Sequence, residues 1–261
     1  MPTKEVTDRQ KSAHAVVASI EAHAEAAGKA LTREFESVLR EREAMPDLTL
    51  VLKLFGRLLA RDNGALVTAD DAHESEKSDD DAPRAKRDEA AAKLREACTH
   101  ARDGISAVHG DAALKSVRMD SAPPPATDGA ALLRWAEGAV AKLGDTKVAL
   151  PKAKKRGVML DREVLVEDIA GHLPTLKRAL GDVERERREL EGTQAAKNRA
   201  VERNDATFAV VAGVTSAVLR AAGMDEQADR VRPSARRPGR TETTEGSDAG
   251  GSGSGGDGPT G

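Results

Sequence analysis

The feature that most constrains this chain is a repeat. Ile169, Leu173, Leu176, Leu180, Val183, Arg187, Leu190, Gln194, Lys197, Val201, Asn204, Phe208, Val211, Thr215, Val218 and Ala222 follow one another in alternating steps of four and three. Residues at those spacings share one face of a helix, so the pattern predicts a heptad seam along residues 161–222. The seam is apolar at both ends and polar in the middle. Gly192 is its only obvious breaker, and Thr193 could cap a second helix. An internal Gly costs only about 1 kcal/mol against Ala, and the register crosses Gly192 without a reset. One helix is therefore expected, roughly 90 Å long at ~1.5 Å per residue, with a hairpin at residues 191–194 as the alternative. Pro174 lies inside it and predicts a kink, because the ring clashes with the preceding turn.

Composition agrees with helices. Aromatic residues make up 2% of the 261 residues and charged residues 33%, with one Trp, three Phe and no Tyr. Such a chain packs helices through Ala, Leu and Val rather than around aromatic rings. The net charge of −3 favours no class of partner. A single cysteine, Cys98, forbids an internal disulfide and fits a reducing compartment. Residues 1–10 are polar and no run approaches the ~18 apolar residues of a membrane span, so neither a signal peptide nor a membrane segment is predicted. The expected location is the cytoplasm.

In chain order, a first helix is expected over residues 3–44. Ala13, Val16, Ile20, Ala24, Ala27, Leu31, Phe35 and Val38 form its stripe, with an eleven-residue period close to the natural helical twist. Met45-Pro46 ends it. Asp47 then caps a short helix over residues 48–61, apolar nearly all round and so expected to be buried, with Asn63-Gly64 as its stop. Residues 70–81 hold seven acids and one Lys, and 68–83 reads as an acidic disordered loop. A third helix spans about 83–108. A helical turn at Ala113-Leu114, a stiff Pro123-Pro124-Pro125 linker, and a fourth helix to Leu143 capped by Thr127 or Asp128 follow. Residues 144–160 are a basic linker. After the long helix, a short closing helix covers about 225–231. Residues 232–261 read as a disordered tail, half Gly from 246 onward. Its nominal Gly-x-Gly-x-x-Gly at 253–258 follows no strand and opens no helix, so it is no nucleotide site.

The predicted fold class is thus all-α: an elongated antiparallel helical bundle or coiled coil, with a long C-terminal helix and a disordered Gly-rich tail. Residues 1–143 form the N-terminal region and 161–231 the long helix with its closing turn. The stretch from Ala222 to Gly239 (AGMDEQADRVRPSARRPG), directly after the long helix, resembles uncharacterised all-helical proteins of high-GC bacteria, myxobacteria especially. The resemblance covers about residues 160–240. It implies an all-helical bacterial protein and carries over no activity or site residue.

No catalytic or cofactor motif stands out. There is no Walker A loop, no HExxH and no paired-cysteine zinc pattern, and no Glu is followed three residues later by His, as a di-iron bundle requires. Glu96 with His100, and Asp168 with His172, sit four apart on a helix face and could begin a metal site. The polar face of an amphipathic helix is the simpler reading of both. No enzyme, metal or cofactor is therefore expected. Two basic clusters could contact phosphates: Lys152, Lys154, Lys155 and Arg156, and then Arg230, Arg232, Arg236, Arg237 and Arg240. The second reads as a flexible arm. The expected function is a helical scaffold or protein-interaction protein, self-associating or partner-bound through its coiled-coil faces. A nucleic-acid-associated protein using the Arg-rich segment 230–240 is the alternative.

Overall fold

The computed structural model describes residues 2–79, 81–119, 124–125, 128–154 and 160–242. Among them are seven helices: α1 Lys4–Glu36, α2 Leu48–Asp79, α3 Asp81–His109, α4 Asp111–Ser116, α5 Gly129–Gly144, α6 Arg162–Ala221 and α7 Asp225–Arg230. No strand occurs among the described residues, apart from an isolated bridge between Pro233 and Thr241. The all-α class holds, and α6 is a single helix of 60 residues with Gly192 and Pro174 inside it. The chain divides into two compact units: residues to Ser75 together with those from Gly192, and Glu76–Glu191. This cut differs from boundaries at 143 and 161, because each half of α6 joins a different core.

The first unit is a three-helix bundle of α1, α2 and the second half of α6. Polar pairs fix its register. The backbone N–H of Thr3 donates to Asp70 at 2.7 Å, and the Thr49 hydroxyl donates to the Ala24 carbonyl at 3.5 Å. Twenty-one residues along α1 thus match twenty-one back along α2, so the two helices run antiparallel. Gly28 permits the close approach, since a methyl group there would collide with the Thr49 hydroxyl. Between α2 and α6, Asn63 pairs with Asn204 at 3.3 Å and Asp70 with Lys197 at 2.6 Å. Seven residues forward on α2 match seven back on α6, again antiparallel. His73 and Thr193 add a contact at 3.2 Å, and Asp62 accepts from the Thr207 hydroxyl at 2.7 Å and pairs with Arg203. Inside lie Val16, Ile20, Ala24, Leu52, Leu59, Phe208, Val211 and Leu219. Burying a side chain such as Phe208 contributes about 1.5–3 kcal/mol.

Several local expectations change. The acidic stretch expected as a loop at 68–83 is helical where described: α2 continues to Asp79, and α3 begins at Asp81. Asn63-Gly64 does not stop α2, because Asn63 is buried against Asn204 and the cost of Gly64, about 1 kcal/mol, is outweighed by packing of Leu66 and by the Asp70 and His73 pairs beyond it. In the other direction, α1 ends at Glu36 rather than Ala44. Thr49 lies opposite Ala24, so α2 starts before it can cover residues beyond Leu31, and Phe35 and Val38 are exposed. Asp47 does cap α2, accepting from the Leu50 N–H at 2.9 Å. The first turns of α2 are not wholly buried, with Leu50, Val51 and Leu54 all more than 40% exposed. The segment after α7 is not a loose arm as far as residue 242. Ser234 N–H donates to the Arg240 carbonyl and Glu242 N–H to that of Arg232, closing a tight turn. Thr241 N–H donates to Ser12 of α1 at 3.4 Å. Gly239, at φ +71, is buried against Asp205 and Arg9, where any side chain would strike the Asp205 carboxylate. The Gly-rich stretch 243–261 lies outside the described residues.

The second unit packs α3, α4, α5 and the first half of α6. Leu94, Cys98, Ala101 and Ile105 of α3 meet Leu132, Ala136, Ala139 and Leu143 of α5, with Ile169, Leu173, Leu176 and Leu180 from the seam. Asp128 caps α5, accepting from Ala130 and Ala131 N–H, and Asp161 caps α6 by accepting from Glu163 N–H. Thr127, the other candidate cap, lies outside the described residues. The Arg162 guanidinium closes the far end of α5. It donates to the carbonyls of Leu143 at 2.6 Å, Val148 at 2.8 Å and Asp145 at 3.2 Å, satisfying helix-end acceptors with a favourably placed charge.

Two measurements check this account. Arg162→Ala is expected to lower stability to urea by about 2 kcal/mol, with Arg162→Lys recovering less than half, because an ammonium cannot fan across several carbonyls. Asp70→Ala, which leaves Lys197 unpaired with its side chain 15% exposed, is expected to cost about 3 kcal/mol. Burial pushes the Asp62 and Asp70 carboxyls up, but donors prevail and hold both below the usual range: Arg61, Thr207 and Arg203 on Asp62, Lys197 and Thr3 on Asp70. Their stabilisation is therefore complete above the unfolded value of ~3.9 and lost as pH falls through the folded values. Acid unfolding followed by circular dichroism should begin at higher pH in Asp70→Ala than in the parent chain.

Candidate functional site

The Arg-rich segment is the first place to look for a site. Its five arginines do not form one open cationic surface. Arg230 pairs with Glu226, Arg232 with Glu242 at 3.5 Å, and Arg240 with Asp8 at 2.9 Å. Arg236 and Arg237 are exposed, and their backbone N–H groups donate to the Ser234 hydroxyl. Together with α1 they line a cleft of about 620 Å³, shared by Lys4, Glu5, Asp8, Arg9 and Arg240. Arg9 is clamped there by two hydrogen bonds to Asp205 at 2.8 and 2.9 Å and one to Glu5, and the Asp205 bond raises its already high pKa. The floor of the cleft is thus neutralised, and its rim carries Lys4, Arg236 and Arg237. No aromatic side chain lines it for base stacking. The other basic cluster belongs to the second unit. Lys152 and Lys154 are exposed, and Lys154 N–H donates to the Val108 carbonyl. Lys155 and Arg156 lie outside the described residues.

The acid and histidine pairs remain surface pairs. His172 Nε2 lies 4.0 Å from Asp168 on an open face, and Glu96 and His100 are both exposed. A group not evident from sequence is Glu76 of α2 with Glu186 and Glu189 of α6, whose carboxylate oxygens lie within 4.8 Å of one another. They are the residues best placed to hold a cation, yet acids on helix surfaces often approach this closely without one. Nothing in the sequence marks them, because Glu76 reaches α6 only once the acidic run is helical. Cys98 is fully buried, and burial together with the Asp168 charge pushes its thiol up to about 12. It stays protonated and is no nucleophile at neutral pH.

Most of the heptad seam is used in folding. Its ends lie in the two cores, and Asn204 and Lys197 of its polar middle pair with α2, while Arg187 is exposed and pairs with Glu191 on the same helix. What the first unit leaves open is an edge beside the seam. On α6, Arg203 and Thr207 contact Asp62 of α2. Continuing from them in steps of three and four, Val210 is 57% exposed, Val214 is half-buried, and the row rejoins the seam at half-buried Val218, which packs against the core. On α2, counting back from Asp62, Leu58 is half-buried and Leu54 and Val51 are 50% and 41% exposed. Both rows begin at the same ionic contact and run along neighbouring helices, with Val51, Leu54 and Val210 exposed and Leu58, Val214 and Val218 half-buried beside them.

No family model matches the chain, and neither does any curated protein or solved structure. Among the described residues no helix is long and apolar enough to cross a membrane.

A thiol-reactive maleimide at pH 8 is expected to leave Cys98 unmodified in the folded chain and to label it on unfolding in urea, read by mass spectrometry. Rapid labelling of the folded chain would show that the α3–α5 core opens.

Proposed function

We propose that the chain is a non-enzymatic, cytoplasmic interaction protein that binds a protein surface through an outer face of its helices. The observation that carries this reading is the apolar groove between α2 and α6. Val51 and Leu54 on successive turns of α2 and Val210 on the adjacent α6 are left in water there, and apolar patches mark interaction surfaces. Most of the seam itself is used in folding, so recognition falls to the faces beside it. A nucleic-acid-associated role is the second reading, supported by Lys4, Arg236 and Arg237 at the rim of the α1 cleft. The acids paired with Arg230, Arg232 and Arg240 weaken the field a phosphate backbone would meet.

The two readings separate in a pull-down from the native host with the full chain as bait, with and without nuclease. A protein retained after nuclease, and lost when the bait carries Leu54→Glu, is the expected result. Capture that vanishes with nuclease, and with Arg236→Ala/Arg237→Ala, would replace it with the nucleic-acid reading.

A further inference from the structure

We infer that the groove between α2 and α6 is where two copies of this chain meet, back to back and antiparallel. The inference rests on the interaction reading above and names its partner. Symmetry of the two rows carries it. On α2, Asp47 and Arg61 each lie seven residues from Leu54, and Val51 and Leu58 lie three and four residues to either side. On α6, Val210 and Val218 each lie four residues from Val214. The Asn63–Asn204 pair sets the level of one row against the other. Leu54, nine residues back from Asn63, falls opposite Gly213, nine on from Asn204, and so beside Val214. The two rows therefore have their midpoints at one height.

A two-fold axis across the groove at that height turns each row onto itself. It lays Leu54 on Leu54, Val214 on Val214, Val51 by Leu58 and Val210 by Val218, which is the self-complementarity an isologous interface requires. Charge follows the same symmetry. Asp47 of one copy comes to Arg61 of the other at both ends of the α2 row, and Arg61 is 58% exposed although it also pairs with Asp62. A two-fold axis along the groove would instead set the α2 row against the partner copy's α6 row, and Asp47 would not meet Arg61. The aliphatic rows span about 11–12 Å at ~1.5 Å per residue, extended to about 21 Å on α2 by Asp47 and Arg61, on helices ~8–10 Å apart. Such a face offers roughly half the ~800 Å² per partner of a standard interface. The dimer is therefore expected to be reversible and micromolar.

Sedimentation equilibrium of the purified full chain tests this. A monomer–dimer equilibrium in the micromolar range is expected, weakened at least tenfold by Leu54→Glu or Val210→Glu with unchanged circular dichroism. Oxidation of Leu54→Cys, with buried Cys98 left in place, should give a disulfide-linked dimer, while Ala18→Cys on the exposed side of α1 should not. Val51→Cys should link to Leu58→Cys in a mixture faster than to itself. A chain that stays monomeric at about a hundred times a micromolar Kd, with no Leu54→Cys dimer, overturns the inference. If that monomer still captures another protein through Leu54, self-association fails while the interaction reading stands; if Leu54→Glu changes neither measurement, both fail.

Discussion

The pairing of Asp70 with Lys197 and of Asn63 with Asn204 is the constraint on which the first unit depends. These groups are buried or nearly so, and they meet in only one register. Slide α2 by a heptad one way and Lys197 faces Lys77 while Asn63 faces Val211. Slide it the other way and Asp70 faces Leu190 while Asn204 faces Gly56. Either shift leaves polar groups buried without partners, at about 1–3 kcal/mol for each neutral one and more for a charge. An all-aliphatic seam would tolerate such slides, since one Leu or Val row packs much like another. The polar middle of α6 is therefore a register device, and the partner that reads it is α2 of the same chain.

From that register the rest of the unit follows. With α2 fixed on α6, the Thr3–Asp70 bond and the Gly28–Thr49 approach fix α1 on α2. Arg9 then reaches Asp205, and Arg240 reaches Asp8, so the turn after α7 closes over the α1–α6 seam. The second unit is organised differently. Its core is mostly aliphatic, and its polar ties run to carbonyls rather than to other charges: Arg162 joins the start of α6 to the end of α5, and Arg102 and Arg95 of α3 reach the carbonyls of Met119 and Pro125.

The sequence made some of this legible and hid the rest for physical reasons. The long helix could be read because sixteen seam positions keep step across it. The α1 stripe could be read as far as Leu31, because its period matches a helix that is covered on one side. The helical state of residues 68–79 could not. Acidic runs are helical only where something answers their charge, and the answer to Asp70 sits at Lys197 and Thr3, far away in the chain. The same holds for the arginines of 230–240. Their spacing reveals five cations, while their partners Asp8 and Glu242 are set by the fold. The exposed groove was hidden in the opposite way, since an apolar helix start reads as core from composition alone.

That last point has a geometric origin. From Ala206 to Leu219, α6 carries no charged residue, and from Leu48 to Leu59, α2 carries only Lys53 and Arg57. Each helix of a three-helix bundle touches two neighbours, which cover roughly the ~100°-wide stripe of an ordinary amphipathic helix and little more. A segment apolar around most of its circumference therefore has more surface than two neighbours can take up. Phe208, Val211 and Leu219 occupy the inner side of α6, and Leu52 and Leu59 that of α2. Val210, Val214, Val51 and Leu54 are what is left over. Farther along the same helices, from Gly64 to His73 and from Thr193 to Arg203, the outward positions are polar or small. The chain thus changes its outer surface from polar to apolar at the Asp62–Arg203 contact, within a single pair of helices. That change is set by geometry: the apolar end carries more aliphatic surface than the two neighbours of each helix can take up.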